Sequence, residues 1–143
     1  MSREAYYLIC DEAQVSLTTN KMTLVGIYNT EIVIPQLEQP TGQLVFYFVV
    51  HCDLTERPNV LTLEVTLPGE APRAMPVMIG VPPPPMEGRQ RWMIQLPFPI
   101  MQPVLRPGRI EGRVLFDGAN PVDIRGPWIS LSAAPQATRT TAS

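Results

Sequence analysis

Leu61-Thr62-Leu63-Glu64-Val65-Thr66-Leu67, closed by Pro68-Gly69, alternates apolar and polar residues without interruption. Successive side chains of a strand point to opposite faces of a sheet. Leu61, Leu63, Val65 and Leu67 therefore share one face, and Thr62, Glu64 and Thr66 share the other. An amphipathic helix would need its apolar residues three and four positions apart. The stretch reads as a half-buried strand ended by a turn.

Outward from this strand the pattern recurs. Strand-like runs fall at approximately 6–11, 14–18, 22–34, 43–52, 59–67, 74–80, 91–98, 109–117 and 121–132. Turn residues separate them, at the spacing of an all-β sandwich or barrel. Asp117-Gly118-Ala119-Asn120 reads as a short hairpin, and Thr18-Thr19-Asn20-Lys21 as a turn in which Asn20 suits a left-handed position. Pro68-Gly69 and Pro107-Gly108 punctuate two more turns. Ile110, Val114 and Phe116 alternate less regularly with Glu111 and Arg113, and Gly112 marks a bulge or a close approach.

Seventeen prolines exclude a helix of ordinary length between Pro35 and Pro135, because each removes a backbone donor and clashes with the preceding turn. The expectation is an all-β protein, an antiparallel two-layer β-sandwich of immunoglobulin-like or C2-like form. Leu63, Val65, Leu67, Ile94, Val114, Phe116, Ile129 and Leu131 are expected in its core.

With 143 residues the chain suits one domain, 1–132, large enough to bury a core without staples. Residues 133–143 contain no apolar side chain larger than Ala and read as a flexible C-terminal tail. A net charge of −2 supplies no basic field to concentrate nucleic acid, so no nucleic-acid partner is expected. No apolar run approaches the ~20 residues of a membrane span, and Ala5–Ile9 is too short for a signal peptide. No membrane is expected and the location reads as cytoplasmic, where Cys10 and Cys52 would be plain buried thiols.

Two stretches carry a family resemblance. Tyr6-Tyr7-Leu8-Ile9-Cys10-Asp11 is an apolar strand ending in Asp, and it is followed by Asn20-Lys21-Met22-Thr23-Leu24-Val25-Gly26-Ile27-Tyr28. The pair resembles a family of short bacterial proteins of unknown function, a domain with the pattern Lys-x-Ser/Thr-Leu-Ile/Val-Gly-Ile-Phe/Tyr. Pro97-Phe98-Pro99, Arg106-Pro107-Gly108 and Val114-Leu115-Phe116-Asp117-Gly118 are similar to the closing hairpin of that family. The resemblance spans most of 6–131 and implies a β-sandwich without implying an activity. The chain departs from the pattern at Asn20, where the family favours Gly, and in its proline-rich excursion.

Chemistry-bearing residues are few. His51 is the sole histidine and stands beside Cys52 and Asp53, while Cys10-Asp11 ends another run. Cys10 and Cys52 are 42 positions apart, unlike the compact ligand pairs of a closed zinc site. Adjacent residues of a strand also point to opposite faces, which separates His51 from Cys52. Neither a metal nor another cofactor is expected, and the chain reads as a non-enzyme. A cysteine-dependent hydrolase, with Cys10 as nucleophile and His51 as base, requires the two strand ends to adjoin. Glu64, Glu111 and Asp117 are expected as solvated carboxylates on polar faces. Arg89, Arg91, Arg106, Arg109 and Arg113, with Trp92 adjacent, form the basic concentration and read as a solvated rim.

Recognition through shape remains. Leu44–Val50 is apolar at every position, so it needs cover on both faces, from a loop, the C-terminal segment or a second subunit. Phe46, Tyr47, Phe48 and Trp92 are the interface candidates on strands. Pro82, Pro83, Pro84 and Pro85 should form a polyproline II excursion that loses little entropy on docking. The expected role is a non-catalytic interaction module, binding another protein or its own copy. The alternative is a small-molecule pocket at the strand-end loops, with Val81–Arg91 among them.

Overall fold

The computed structural model describes residues 3–19, 21–28, 31–35, 37, 42–80, 88 and 91–132. They form ten strands: β1 (Glu4–Cys10), β2 (Glu12–Val15), β3 (Met22–Val25), β4 (Ile32–Ile34), β5 (Gln43–Asp53), β6 (Val60–Thr66), β7 (Arg73–Met78), β8 (Arg91–Met101), β9 (Gly108–Phe116) and β10 (Ala119–Leu131). One 3-10 turn, Leu54–Glu56, is the helical element among the described residues. Asn20, the Pro82–Pro85 excursion and the tail from 133 lie outside the described residues.

The strands make a three-stranded sheet in the order β1-β5-β8 and a five-stranded sheet in the order β4-β10-β9-β6-β7, with β2-β3 as a separate hairpin. All pairings are antiparallel but one. Ile32–Ile34 runs parallel to Ile129–Leu131, so the larger sheet is mixed where a purely antiparallel one was expected. That strand was expected as part of a continuous run over 22–34. Gly26 interrupts the run at φ +73°, where the chain leaves the extended conformation.

One core lies between the sheets. Leu44, Phe46, Phe48, Val50 and Cys52 of β5 meet Leu61, Leu63 and Val65 of β6, Ile110, Val114 and Phe116 of β9, and Ile124 and Ile129 of β10. The alternation of 61–67 is therefore read correctly, and Leu63, Val65, Leu67, Val114, Phe116 and Ile129 are buried. Ile94 is half-buried against the core, whereas Leu131 is exposed at the end of its strand. On one side β1 comes against β10, so the layers curl toward a half-barrel that is not specifically immunoglobulin-like.

The prolines sit where strands tolerate them. β10 lies between two neighbours, yet Pro121 and Pro127 fall inside its two register shifts, Ala119/Val122 and Arg125/Trp128. A bulge leaves a residue out of the ladder, so a missing donor there costs no hydrogen bond. Pro97 and Pro99 lie two apart on the edge strand β8, and pairing with β5 runs through both. Their missing donors consequently fall on the unpaired side, which blunts that edge against further strand addition. Pro76 does the same for the edge strand β7.

Asp117 corrects an expectation. It is solvent-exposed as expected, yet it stands not on a strand face but as the first central residue of a two-residue turn, at φ 56° with Gly118 at φ 77°. Its Oδ1 accepts hydrogen bonds from the backbone N–H groups of Asn59 (2.9 Å) and Val60 (3.0 Å), fixing the start of β6.

Candidate functional site

The outward faces of the two sheets differ in kind. On the larger sheet, cross-strand neighbours alternate in charge: Glu64, Arg113 and Asp123 form one row, and Thr66, Glu111 and Arg125 the next. Arg113 Nε lies 3.3 Å from Asp123 Oδ1. With Pro72 and Gly112 these residues line a cleft of about 410 Å³. At the end of the same face Arg109 stacks over Trp128, 4.7 Å from the ring centroid. This is the solvated face that an antiparallel sheet ordinarily shows to water.

The smaller sheet presents an apolar outer face instead. Its register puts Tyr6 and Leu8 of β1 beside Val49 and Tyr47 of β5, with Pro97, Gln95 and Met93 beyond on β8. Val45, Tyr47 and Val49 are buried, while Tyr6 (49% exposed), Leu8, Met93 (57%) and Met101 are not. The cover over β5 comes from the chain itself: the β2-β3 hairpin folds back over this face. Val15, Lys21 and Met22 of the hairpin region, with Tyr47, Met93, Ile94 and Gln95, line a groove of about 420 Å³. The Tyr47 hydroxyl donates to Gln95 Oε1 at the groove floor.

Asp11 holds the hairpin in place. Its backbone N–H donates to the carbonyls of Val25 (3.0 Å) and Gly26 (3.2 Å), and its carbonyl accepts from Gln43 Nε2 (3.0 Å). Its Oδ1 accepts from the Tyr28 hydroxyl at 3.1 Å, and Tyr28 N–H donates to the Ile9 carbonyl at 2.9 Å. Burial, together with this hydrogen bond to a carboxylate, pushes the Tyr28 pKa up. A Cβ on residue 26 would overlap the Asp11 carboxylate, so glycine is required there for space as well as for its φ. The strand-ending Asp and the Gly-Ile-Tyr segment, separate in sequence, thus form one latch.

The candidate interface residues divide. Phe46 and Phe48 are 0% exposed and point into the core, and Trp92 is buried on the same side of its sheet. Tyr47 alone faces outward, beneath the hairpin. Pro82, Pro83, Pro84 and Pro85 lie outside the described residues. The surface is formed by neighbours that the sequence reading did not single out: Tyr6, Leu8, Met93 and Val15. One signal was available, since Ala5–Ile9 is apolar on both faces just as Leu44–Val50 is.

Cys10 and His51 are not brought together. Cys10 pairs in register with Val45, six residues from His51 along β5, or roughly 20 Å at strand rise. His51 belongs to a polar cluster at the far end of the apolar face. Arg91 Nη2 donates to His51 Nδ1 at 2.7 Å, so the neutral ring carries its proton on Nε2, 3.1 Å from Glu4 Oε1. Arg91 Nη1 pairs with Asp53 Oδ1 at 2.9 Å. Cys52 faces the core, and Cys10 Sγ donates to the Glu12 carbonyl at 3.4 Å. Burial is the main influence on both thiols and raises their pKa, which disfavours the nucleophilic thiolate.

A second cleft, of about 150 Å³, opens where β1 meets the β10 bulge and is lined by Tyr7, Tyr28, Arg125 and Gly126 among others. The Tyr7 ring stands edge-on to Phe46 (5.3 Å between centroids) and Phe48 (5.2 Å), and its hydroxyl is buried without a hydrogen-bond partner. Burial, followed by the nearby Glu111 charge, raises its pKa far above the ordinary 10.0. The unfolded chain releases this proton near pH 10 and the folded chain retains it. Stability is therefore intact below that pH and falls as pH rises beyond it. Tyr7→Phe is expected to stabilise the protein by about 1 kcal/mol, by removing an unsatisfied buried hydroxyl. It should also make the alkaline loss shallower, as urea unfolding at pH 7 and above pH 10 will show.

No protein-family model matches this chain, and no curated protein matches it.

Proposed function

We propose that this protein is a non-catalytic interaction module that binds another protein chain through the outer face of the β1-β5-β8 sheet. The supporting observation is the contrast between the two outer faces. Both sheets leave some large apolar side chains exposed, among them Val33, Met78 and Trp128 on the larger one. That sheet carries rows of paired charges as solvated sheets do, whereas the smaller one leaves Tyr6, Leu8, Met93 and Met101 uncovered with a groove beside Tyr47 and Met93. Exposed apolar side chains grouped on one face beside a groove are a feature of interaction sites. Aromatic residues and Met are also enriched at interface cores.

The separation of Cys10 from His51, and the engagement of His51 by Glu4 and Arg91, favour binding over thiol chemistry. Free buried thiols suit a reducing, cytoplasmic setting. We further read the chain as sharing its architecture with the short bacterial family it resembles. On that reading the Asp and Gly-Ile-Phe/Tyr elements of the motif are a structural latch that sets the hairpin over the sheet. No helix of the described residues is long and apolar enough to cross a membrane.

The test is photo-crosslinking of the full chain in cells, with p-benzoylphenylalanine replacing Tyr6 or, on the opposite face, Trp128. Protein adducts are expected from position 6 and not from position 128. Adducts absent at position 6, or equally abundant at both, would contradict the reading.

A further inference from the structure

The β2-β3 hairpin covers more than it buries of itself. None of its strand residues is buried: Ala13, Met22 and Leu24 are half-buried, and the rest, Val15 and Val25 among them, are exposed. What lies beneath is nonetheless closed off. Cys10 has the outward parity of Tyr6 and Leu8, yet it is 0% exposed and stands outside the core cluster that holds Cys52. Its Sγ donates to the Glu12 carbonyl at the start of β2. Its register partner Val45 is buried outside that cluster too, as is Tyr47 at the floor of the groove.

The hairpin is tied down at its base alone. β2 and β3 pair with each other and with no strand of either sheet. Between Ala13 and Leu24, no hydrogen bond or ion pair among the described residues reaches a sheet. The ties gather at Asp11, Glu12 and Tyr28. Asp11 and Gly26, both bends outside the strands, stand at the two exits, and Gly26 has φ +73°. A two-stranded hairpin by itself is marginal in water. An element with few buried side chains and exposed backbone hydrogen bonds opens at a fraction of the cost of global unfolding.

We infer that the β2-β3 hairpin is a flap that swings about Asp11 and Gly26 while both sheets stay folded, uncovering Cys10, Val45 and Tyr47. On the reading of this face as the binding surface, the flap sets how much of β5 a partner can reach. The opening itself does not depend on that reading.

The two native thiols report on it directly. Cys10 lies under the flap and Cys52 in the core, and both are free. Thiols closed off from solvent react only when uncovered. The wild-type chain is therefore treated with N-ethylmaleimide under native conditions, and each cysteine is followed by peptide mass spectrometry. Cys10 is expected to react at least about 100-fold faster than Cys52, as local opening outpaces global unfolding. Its rate should also rise far less steeply with urea, because a swinging flap exposes little new surface.

A second measurement separates a swinging flap from fraying at Cys10 alone. Val15 and Met93 line the groove from its hairpin and sheet sides, and both are exposed. Val15→Cys/Met93→Cys, joined by a bifunctional maleimide before the assay, holds the hairpin to the sheet. Cys10 labelling should then slow at least about tenfold relative to the unbridged double variant. Equal rates at Cys10 and Cys52, or a Cys10 rate that the bridge leaves unchanged, overturns the inference. Neither result touches the binding reading, because crosslinking through position 6 starts from a side chain that is already exposed.

Discussion

Gly126→Ala is expected to destabilise the fold by about 3 kcal/mol, at the upper end of what overpacking costs. A Cβ at this position would lie 2.6 Å from the Ile110 carbonyl oxygen and would overlap the Tyr7 hydroxyl. Backbone cannot swing aside as a side-chain end can, so the two strands would have to part. Gly112 contributes the other wall of the same cradle, since its Cβ would overlap the Tyr7 ring. Here the obstacle is a side chain, and a double-mutant cycle will separate the two cases. Gly112→Ala should be costly in the wild type and nearly neutral once Tyr7→Ala has vacated the space. Gly126→Ala should stay costly in that background. Gly42→Ala, where a Cβ meets nothing within 4 Å, serves as the control, with an expected change within about 0.5 kcal/mol. Urea unfolding monitored by circular dichroism gives all of these values. Equal tolerance at residues 126 and 42 would mean that the close approach of the Ile110 carbonyl in β9, and of Tyr7 in β1, to residue 126 of β10 is wrong.

Phe48→Ala should cost about 3–5 kcal/mol, the range for deleting a fully buried aromatic side chain. Phe48 is 0% exposed and touches rings on both flanking strands: Tyr7 lies edge-on at 5.2 Å, and Phe98 is tilted at 6.3 Å. Its loss leaves a cavity at the centre of the three-stranded sheet, where three strands are held in register and relaxation is limited. A domain of this size has a total stability of roughly 7–20 kcal/mol, so the variant will be visibly destabilised at ambient temperature. Tyr6→Ala, one position earlier than Tyr7 and facing outward, should change stability by less than about 1 kcal/mol. The pair therefore distinguishes the inner face of β1-β5-β8 from the outer one. A Tyr6→Ala loss as large as that of Phe48→Ala would show that the chain's own cover extends from β5 over β1 as well.

Local sequence determined the strand content. Period-two alternation in 61–67 and the turn chemistry of Asp117-Gly118 act over a few residues, and proline exclusion of helix needs no distant contact. The demand of Leu44–Val50 for cover on both faces was equally legible, because seven consecutive apolar side chains cannot alternate with water. What supplied that cover was decided only in three dimensions. Phe46 and Phe48 were read as interface candidates, but which parity of a two-faced strand meets the core depends on its register with β1 and β8, and no local pattern encodes register. Gly112 was correctly marked as a bulge or a close approach, and the structure chose the approach, because Tyr7 from the other layer fills the space. The bulge itself lies across the ladder in β10, at Pro127. Asp11 and Tyr28 look unrelated along the chain until the turn at Gly26 brings them to 3.1 Å. Distances along a chain constrain strands and turns. Only packing between layers decides which side chains are left facing outward.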